Sequence, residues 1–350
     1  MRPLPHMTEH KVTSSAVAKR AGVSQSAVSR VFTPGASASQ ATIDKVRKAA
    51  AELGYRPNRL ARSLITGRTR MIGLVVAYLD NQFYPLALER LSQALQARGY
   101  HILIFMAENS TQSVSKVVEE LLDYQVDGII TASVDVTGDL AKRCAQAGIP
   151  IVLFNRGQDE AHLSEVTSDN LAGGRSVAKF LVAGGHKRIA HIAGWQGSST
   201  GRDRSLGFVD ALKELGVHNI TQIDGMYKRE VAAQAARDLF RGPKSPDAVF
   251  VGNDHMAFAV LDVLRLELGL SVPNDVSVVG YDDVPLAAWP SFSLTTVRQP
   301  LDHMVRTTVD LLLGTIEDMA RSPAKIRISG PLVLRQSSRI PKGGWPLHQV

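Results

Sequence analysis

One cysteine, Cys144, stands in 350 residues. An intrachain disulfide is therefore excluded, and a lone thiol suits a reducing compartment. Long apolar runs are missing as well, and no stretch reaches the roughly 20 residues that a membrane-spanning helix needs. The opening residues, Met1-Arg2-Pro3-Leu4-Pro5-His6, hold no apolar secretion-signal core. These absences set the expectation of a cytoplasmic protein without membrane partners. Catalytic signatures are also absent. No G-x-G-x-x-G follows the first strand-like run, and G-x-x-x-x-G-K-[ST], G-x-S-x-G and H-E-x-x-H are not found. Ser113-Val114-Ser115-Lys116 spells S-x-x-K, a chance match on a helical pattern. His186 and His191 are not spaced as metal ligands and read as structural. The expectation is no enzyme, no metal and no cofactor.

Negative charge is scarce at the front of the chain. Residues 1–70 carry thirteen Lys and Arg against three acids, a net of +10, whereas the remaining 280 residues sum to −3. A small basic segment beside a near-neutral larger one points to a polyanion partner for the first alone. The basic segment is also patterned. Val17, Ala18 and Ala21 fall at helical spacing, Gly22 suits a left-handed break, and Ser24 suits the cap of a second helix. In that second helix Val28 and Val31 face inward, while Gln25, Ser26, Ser29 and Arg30 face outward. Two short helices joined by a glycine-containing turn form a helix-turn-helix, whose second helix reads base edges in the DNA major groove. An ordinary helical hairpin satisfies the same fifteen residues; the charge distribution speaks against it. Residues 1–12 read as a disordered tail and Thr13 as the first cap. Ser39 caps a third helix carrying Ile43, Val46, Ala50 and Leu53, closed by Gly54.

Residues 58–67 then form a short helical pattern in which three arginines neighbour Leu60, Leu64 and Ile65. Such a helix is too short to stand alone in water. It suits an element that orders in a minor groove and wedges an apolar side chain between base steps, or else a linker packed on the next domain. From Met71 onward the pattern alternates. Apolar strand-like runs occur at 71–76, 101–105, 128–131, 151–154, 189–193, 248–251 and 276–280. Helical stretches lie between them, at 85–98, 113–124, 140–147, 170–183, 204–215, 231–240 and 256–268. Strands apolar throughout are buried on both faces, the mark of parallel α/β sheets. Their number suggests two lobes, with a ligand between them at the carboxyl ends of the strands.

Several blocks, in order, resemble the lac-repressor (LacI/GalR) family of bacterial transcription regulators. They include Ala21-Gly22-Val23-Ser24, Leu53-Gly54-Tyr55-Arg56-Pro57-Asn58, Ser168-Asp169-Asn170, Gly185-His186-Lys187-Arg188, Asn253-Asp254 and Val278-Val279-Gly280-Tyr281-Asp282-Asp283. The resemblance covers about residues 12–340. It implies an all-α helix-turn-helix headpiece (13–57), a hinge helix (58–67) and a two-lobed α/β periplasmic-binding-protein-like effector domain (71–340), followed by a tail (341–350). Lobe 1 would comprise about 71–168 and 299–328, and lobe 2 about 169–297 and 329–340. The implied partners are a pseudo-palindromic operator duplex, a small effector and a second copy of the chain. Gln25, Ser26, Ser29 and Arg30 match the reading face of the recognition helix. Ser24, Thr33, Ser39 and Thr42 match DNA-backbone contacts, which position without specifying. Leu64 matches the minor-groove wedge, flanked by Asn58, Arg59 and Arg62. The tail holds no leucine heptad, so no tetramerising coiled coil is expected.

The same resemblance places Asp169, Arg204, Asn253 and Asp282 at effector-pocket positions, and Asp80, Asn81, Phe83 and Tyr84 on a pocket-lining loop. Asn155 and Arg156 follow a strand, and Tyr227 and Trp195 offer stacking faces for a sugar ring. Plainer roles stay open: a helix cap for Asn253 and Asp254, a turn for Asp282 and Asp283, an ion pair between lobes for Arg204. The effector is left as a sugar, a sugar acid or a related carbon source. A transporter's solute-binding protein is the alternative reading, and the basic headpiece argues against it.

Overall fold

A computed structural model describes residues 12–33, 36–56, 68–77, 79–107 and 111–346. The chain divides into two compact units, Met1–Thr69 and Arg70–Val350.

The first unit holds α1 (Ser14–Ala21), α2 (Gln25–Val31) and α3 (Gln40–Leu53). Each has a hydroxyl cap: Thr13, Ser24 and Ser39 accept from the backbone N–H groups of Ala16, Ala27 and Thr42. Such caps satisfy N–H groups that have no partner within the helix. Gly22 and Gly54, both at φ +67°, end α1 and α3 in the left-handed region that suits glycine. Val17, Val28 and Val46 are almost fully buried, with Ala18, Ala49 and Ala50 packed beside them. Burying each valine contributes about 1.5–3 kcal/mol, the main force holding three such short helices together. The expected hinge helix at 58–67 lies outside the described residues.

The second unit is built on two six-stranded sheets. One runs β11-β5-β4-β3-β1-β2 and is parallel throughout. Its strands are β1 (Met71–Val76), β2 (His101–Met106), β3 (Gly128–Ala132), β4 (Ile151–Phe154), β5 (Ser164–Ser168) and β11 (Lys325–Ile328). The other runs β12-β10-β9-β8-β6-β7, with only β12 antiparallel. It contains β6 (Ile189–Ala193), β7 (Thr221–Asp224), β8 (Ala248–Val251), β9 (Ser277–Asp282), β10 (Thr295–Arg298) and β12 (Leu332–Val333). Connecting helices are α4 (Phe83–Ala97), α5 (Thr111–Asp123), α6 (Gly138–Gln146), α7 (Asn170–Ala183), α8 (Ser199–Glu214), α9 (Arg229–Phe240), α10 (Asp254–Asp262) and α11 (Leu301–Glu317). The chain passes between sheets after Ser168, returns after Arg298 and crosses again between Ile328 and Leu332.

Five strands depart from the apolar pattern read in the sequence, and α11 was not among the helical stretches read there. β5, with sequence SEVTS, is buried along its whole length although it is polar. β7, β10, β11 and β12 are short and mixed in character, and tertiary pairing rather than composition makes them strands. The second lobe is tightly drawn between α7 and α8. A Cβ on Gly174 would lie 2.3 Å from the carbonyl oxygen of Arg204, and one on Gly207 2.1 Å from that of Leu171. Glycine at both places lets the helix backbones touch, and this sets the height at which Arg204 leaves α8.

Candidate effector cleft and DNA-reading surface

In the headpiece, Ser24, Gln25, Ser26, Ser29 and Arg30 are exposed along α2 and its cap. The Gln25 side-chain amide donates to Ser14 Oγ at 2.9 Å, bracing α2 against α1. Its nitrogen is therefore engaged within the headpiece, although the resemblance puts the side chain on the reading face of the recognition helix. Ser24 and Ser26 share a hydroxyl contact of 2.9 Å. Thr33 donates its hydroxyl to the Ser29 carbonyl, and Ser39 and Thr42 share a contact of 2.8 Å at the start of α3. The Arg30 side chain, in the last turn of α2, has no ion-pair or hydrogen-bond partner among the described residues. Asn58, Arg59, Arg62 and Leu64 lie outside the described residues.

In the second unit a cavity of about 360 Å³ opens where the carboxyl ends of the two sheets face each other. This is the end at which ligands meet open α/β sheets. One wall comes from the first sheet. Asp80, Asn81, Phe83 and Tyr84 reach it from the β1–α4 connection, Ser133 from the end of β3, and Asn155 and Arg156 from the end of β4. The other wall comes from the second sheet: Trp195 after β6, Thr200 and Arg204 on α8, Met226, Tyr227 and Lys228 after β7, Asn253 after β8, and Asp282 at the end of β9. Contacts that bridge the walls include the Arg156 guanidinium over the Trp195 ring and two polar ones. The Gly157 N–H donates to Ser199 Oγ at 3.0 Å, and His255 Nε2 stands 3.9 Å from the Asp80 carboxylate at the rim.

Arg204 is the most constrained of these side chains, with 3% of its surface exposed. Its Nε donates to Asn170 Oδ1 at 2.8 Å, its Nη1 to the Gly252 carbonyl at 2.7 Å, and its Nη2 pairs with Asp282 Oδ1 at 3.4 Å. Asp282 also accepts from Gln299 Nε2 at 2.7 Å. Burial pushes its carboxyl up to about 6, against the pull of Arg204. Behind it, Asp254 is fully buried, and burial together with the Asp282 charge pushes its carboxyl well up. Thr296 Oγ1 and the Val284 N–H donate to Asp254 at 2.6 and 3.0 Å. The Arg204 ion pair thus lies within the second lobe, which rules out the interlobe pair that was one of its open plainer roles.

On the facing wall Asn155 Nδ2 donates to the Tyr84 hydroxyl at 2.9 Å, and that hydroxyl contacts Ser133 Oγ. Asn155 Oδ1 is buried without a partner. Asn253 both caps α10, accepting from the Met256 N–H at 2.9 Å, and lines the cavity. Tyr227 donates to Thr200 Oγ1 at 3.1 Å. Ser133, Asn155, Met226, Tyr227 and Asp282 have φ of +65°, +69°, +57°, +57° and +128°. Strained residues on both cavity walls, at about 1–3 kcal/mol each, mark a place where geometry is held against local preference.

Of the twelve side chains named from the sequence for the effector cleft, eleven line this cavity. Asp169 is not among them. Its carboxylate caps α7, accepting from the Ala172 N–H at 3.0 Å, and reaches Ser329 at 3.4 Å, tying together two crossings between lobes. The next residue, Asn170, is the one that holds Arg204. Asp283 forms no simple turn: it binds Arg298 and Arg335, each at 2.6 Å. Ser133, Thr200, Met226 and Lys228 line the cavity without having been singled out. Ser133 follows the predicted third strand, a position that could have flagged it. Met226 and Lys228 follow β7, which the sequence pattern did not reveal.

Comparison with known proteins matches both units of the chain. A family model described as "Bacterial regulatory proteins, lacI family" matches residues 15–58, and a "Periplasmic binding protein-like domain" matches residues 178–338. The Ribose operon repressor of Escherichia coli (strain K12) is 31% identical over 332 residues, 93% of this chain and 99% of its own length. A solved complex of the transcriptional regulator CelR with cellobiose is 33% identical, covers 93% of this chain and all of its own, and has a TM-score of 0.69. A solved lac repressor dimer bound to operator and the anti-inducer ONPF is 28% identical, covers 93% and 99%, and has a TM-score of 0.84. The helix-turn-helix unit and the two-lobed ligand-cleft unit therefore define a transcription regulator. The chain belongs to the lacI family of bacterial regulatory proteins. These relatives are regulators, not enzymes. No described helix is long and apolar enough to cross a membrane.

Proposed function

We propose that this regulator is a cytoplasmic repressor that grips a pseudo-palindromic operator as a homodimer. Its grip responds to a small polyhydroxylated metabolite held in the cleft. The observation that carries the reading is the cleft itself: polar side chains from both lobes converge on it, with Asn155 Oδ1 left unsatisfied. A small ligand with hydroxyl groups supplies the missing partners and holds both walls at once. The cellobiose complex of CelR and the operator complex of the lac repressor dimer support the two halves of the reading.

In this reading Ser29 and Arg30 face bases and phosphates, with Gln25 free to contribute its carbonyl oxygen. Ser24, Ser26, Thr33, Ser39 and Thr42 seat the headpiece, and residues 58–67 place Leu64 in the minor groove beside Asn58, Arg59 and Arg62. Paired headpieces match two half-sites. Ligand binding is linked to DNA binding through the relation of the lobes in the dimer, so the operator must change ligand affinity by the same factor.

The test is a fluorescence-anisotropy titration of the full chain with duplexes from its own promoter region, at low and moderate salt, with and without candidate metabolites. Specific retention that weakens with salt, and shifts with one metabolite, is the expected result. Failure to retain any such duplex at low ionic strength overturns the reading. Leu64→Ala should weaken retention and leave the metabolite's affinity unchanged.

A further inference from the structure

The charges in the cleft do not balance. Arg204 is neutralised by Asp282. Asp80 sits at the rim with a side chain 71% exposed, so water and His255 compensate it. Arg156 is different. It follows β4 on the cavity wall, is 4% exposed, and has no carboxylate within ion-pair distance among the described residues. Its Nη1 donates to the Ser133 carbonyl at 3.0 Å, and its guanidinium lies 5.5 Å over the Trp195 ring. Its Nε is buried without a partner. A carbonyl and an indole face attract a cation but do not neutralise it.

Burying a charge without a counter-ion is costly, and the cost is recovered when a complementary ion arrives. A planar guanidinium with free N–H groups favours a carboxylate, which can take two parallel hydrogen bonds. The residue before it supplies the second half of the recognition. Asn155 commits its amide nitrogen to Tyr84, so its buried, unpartnered Oδ1 can only accept. The ligand must therefore present a donor next to its anion, and a hydroxyl is such a donor. A cavity of about 360 Å³ falls at the small end of ligand sites, which run from roughly 300 to 1,000 Å³.

We infer that the effector is a polyhydroxylated carboxylate, a sugar acid, with its carboxylate on Arg156 and a neighbouring hydroxyl donating to Asn155 Oδ1. This rests on the cleft being the effector site and narrows the ligand to one class. A sugar phosphate shares the anionic chemistry. However, it carries close to two negative charges, and beside buried Arg156 the cavity offers only Lys228, an exposed ammonium that water already compensates.

The experiment pairs each acid with a neutral counterpart, using the full-length protein and isothermal titration backed by thermal shift. The probes are gluconate against glucitol, glucuronate against glucose, galacturonate against galactose, and glucose 6-phosphate as the phosphate arm. At least one acid is expected to bind roughly tenfold or more tightly than its neutral partner, the scale of a charge-assisted hydrogen-bond pair. Arg156→Gln should erase that preference while changing the neutral partner's affinity less than threefold, and Arg156→Lys should restore part of it. Ligand-free Arg156→Gln should melt no lower than the native protein. Should that variant not fold, the matched pairs on the native protein decide alone. A neutral sugar binding as tightly as its acid, silence from every acid, or preference for the phosphate each overturns the inference. Operator retention measured in the same samples separates the outcomes: retention tuned by a neutral sugar keeps the repressor reading and sinks the acid, and an acid bound without operator retention does the reverse.

Discussion

Arg204 lies flat against Tyr281, its guanidinium carbon 3.6 Å from the ring centroid. With Asn170, Gly252 and Asp282 on its edges, the side chain is held on its face and on its rim. Its position is therefore set before any ligand enters, and a ligand loses little in ordering it.

Removing it should act on stability and on ligand response together. Arg204→Ala leaves Asp282 buried without its cation, a loss of about 3 kcal/mol on the scale of broken buried pairs. A urea unfolding curve should show that loss. Ligand titration should be abolished, while operator binding without ligand persists. An unchanged titration would remove Arg204 from the site. Arg204→Lys keeps the charge but not the fork, and should recover stability better than ligand affinity.

Gly174→Ala tests how the second lobe carries Arg204. The added carbon meets backbone atoms, 2.3 Å from the Arg204 oxygen and 2.9 Å from the Phe208 nitrogen, so no rotamer change relieves it. α7 and α8 must separate. The expected loss is about 1–3 kcal/mol with weakened ligand binding. A variant that melts with the native protein would contradict the close approach.

The pH dependence of folding should report His191. The ring is fully buried and stacked on Phe250, with centroids 4.7 Å apart. Its Nδ1 faces the Phe250 carbonyl and its Nε2 the Ser205 hydroxyl, each at 3.0 Å. A carbonyl only accepts, so Nδ1 carries the proton and Nε2 accepts from Ser205. Burial pulls the imidazole down to about 4. The unfolded chain, near 6.5, takes up a proton first, so stability falls as pH drops from about 6.5 toward 4. The raised Asp282 and Asp254 carboxyls act in the opposite direction, since the folded chain keeps protons there that the unfolded chain releases. The difference between native protein and His191→Asn isolates the ring. The variant's melting point should drop less between pH 7.5 and 5, and parallel curves would refute the buried neutral imidazole.

Arg30→Ala addresses the headpiece. An unpaired arginine that faces a phosphate contributes one released counterion, so the slope of log affinity against log salt should become shallower by about 1 for each headpiece. Melting of the ligand-binding unit should not change. An identical slope would place Arg30 away from the duplex.

The headpiece was legible because its signals are local: Thr13, Ser24, Ser39, Gly22 and Gly54 each announce a helix end within a few residues. The central strands were legible because burial on both faces leaves an unbroken apolar run, as in β3, β4 and β8. β5 was not, since its Ser164, Glu165 and Thr167 are buried by pairing with distant residues of β4 and β11. The cleft was legible wherever a side chain stands at the end of a readable strand. Asp169 was placed in the pocket although its carboxylate caps α7, because capping and lining are both done by polar groups just after a strand, and only the folded geometry distinguishes them. Arg156 had been noticed as following a strand. That it lacks a counter-ion is a property of three dimensions.

The strand order has a consequence for synthesis. β11, from residues 325–328, pairs beside β5 at one edge of the first sheet, and α11 packs against β3, β4 and β5. Neither lobe is contiguous along the polypeptide, whereas the headpiece is. As the chain emerges from the ribosome, the headpiece can assemble at once, but the first sheet must wait for more than 150 further residues after β5 before its last strand arrives. Nascent chains halted before residue 325 should therefore expose the β5 edge to any chaperone that binds unpaired strands, and would have no finished cleft in which to sense a metabolite.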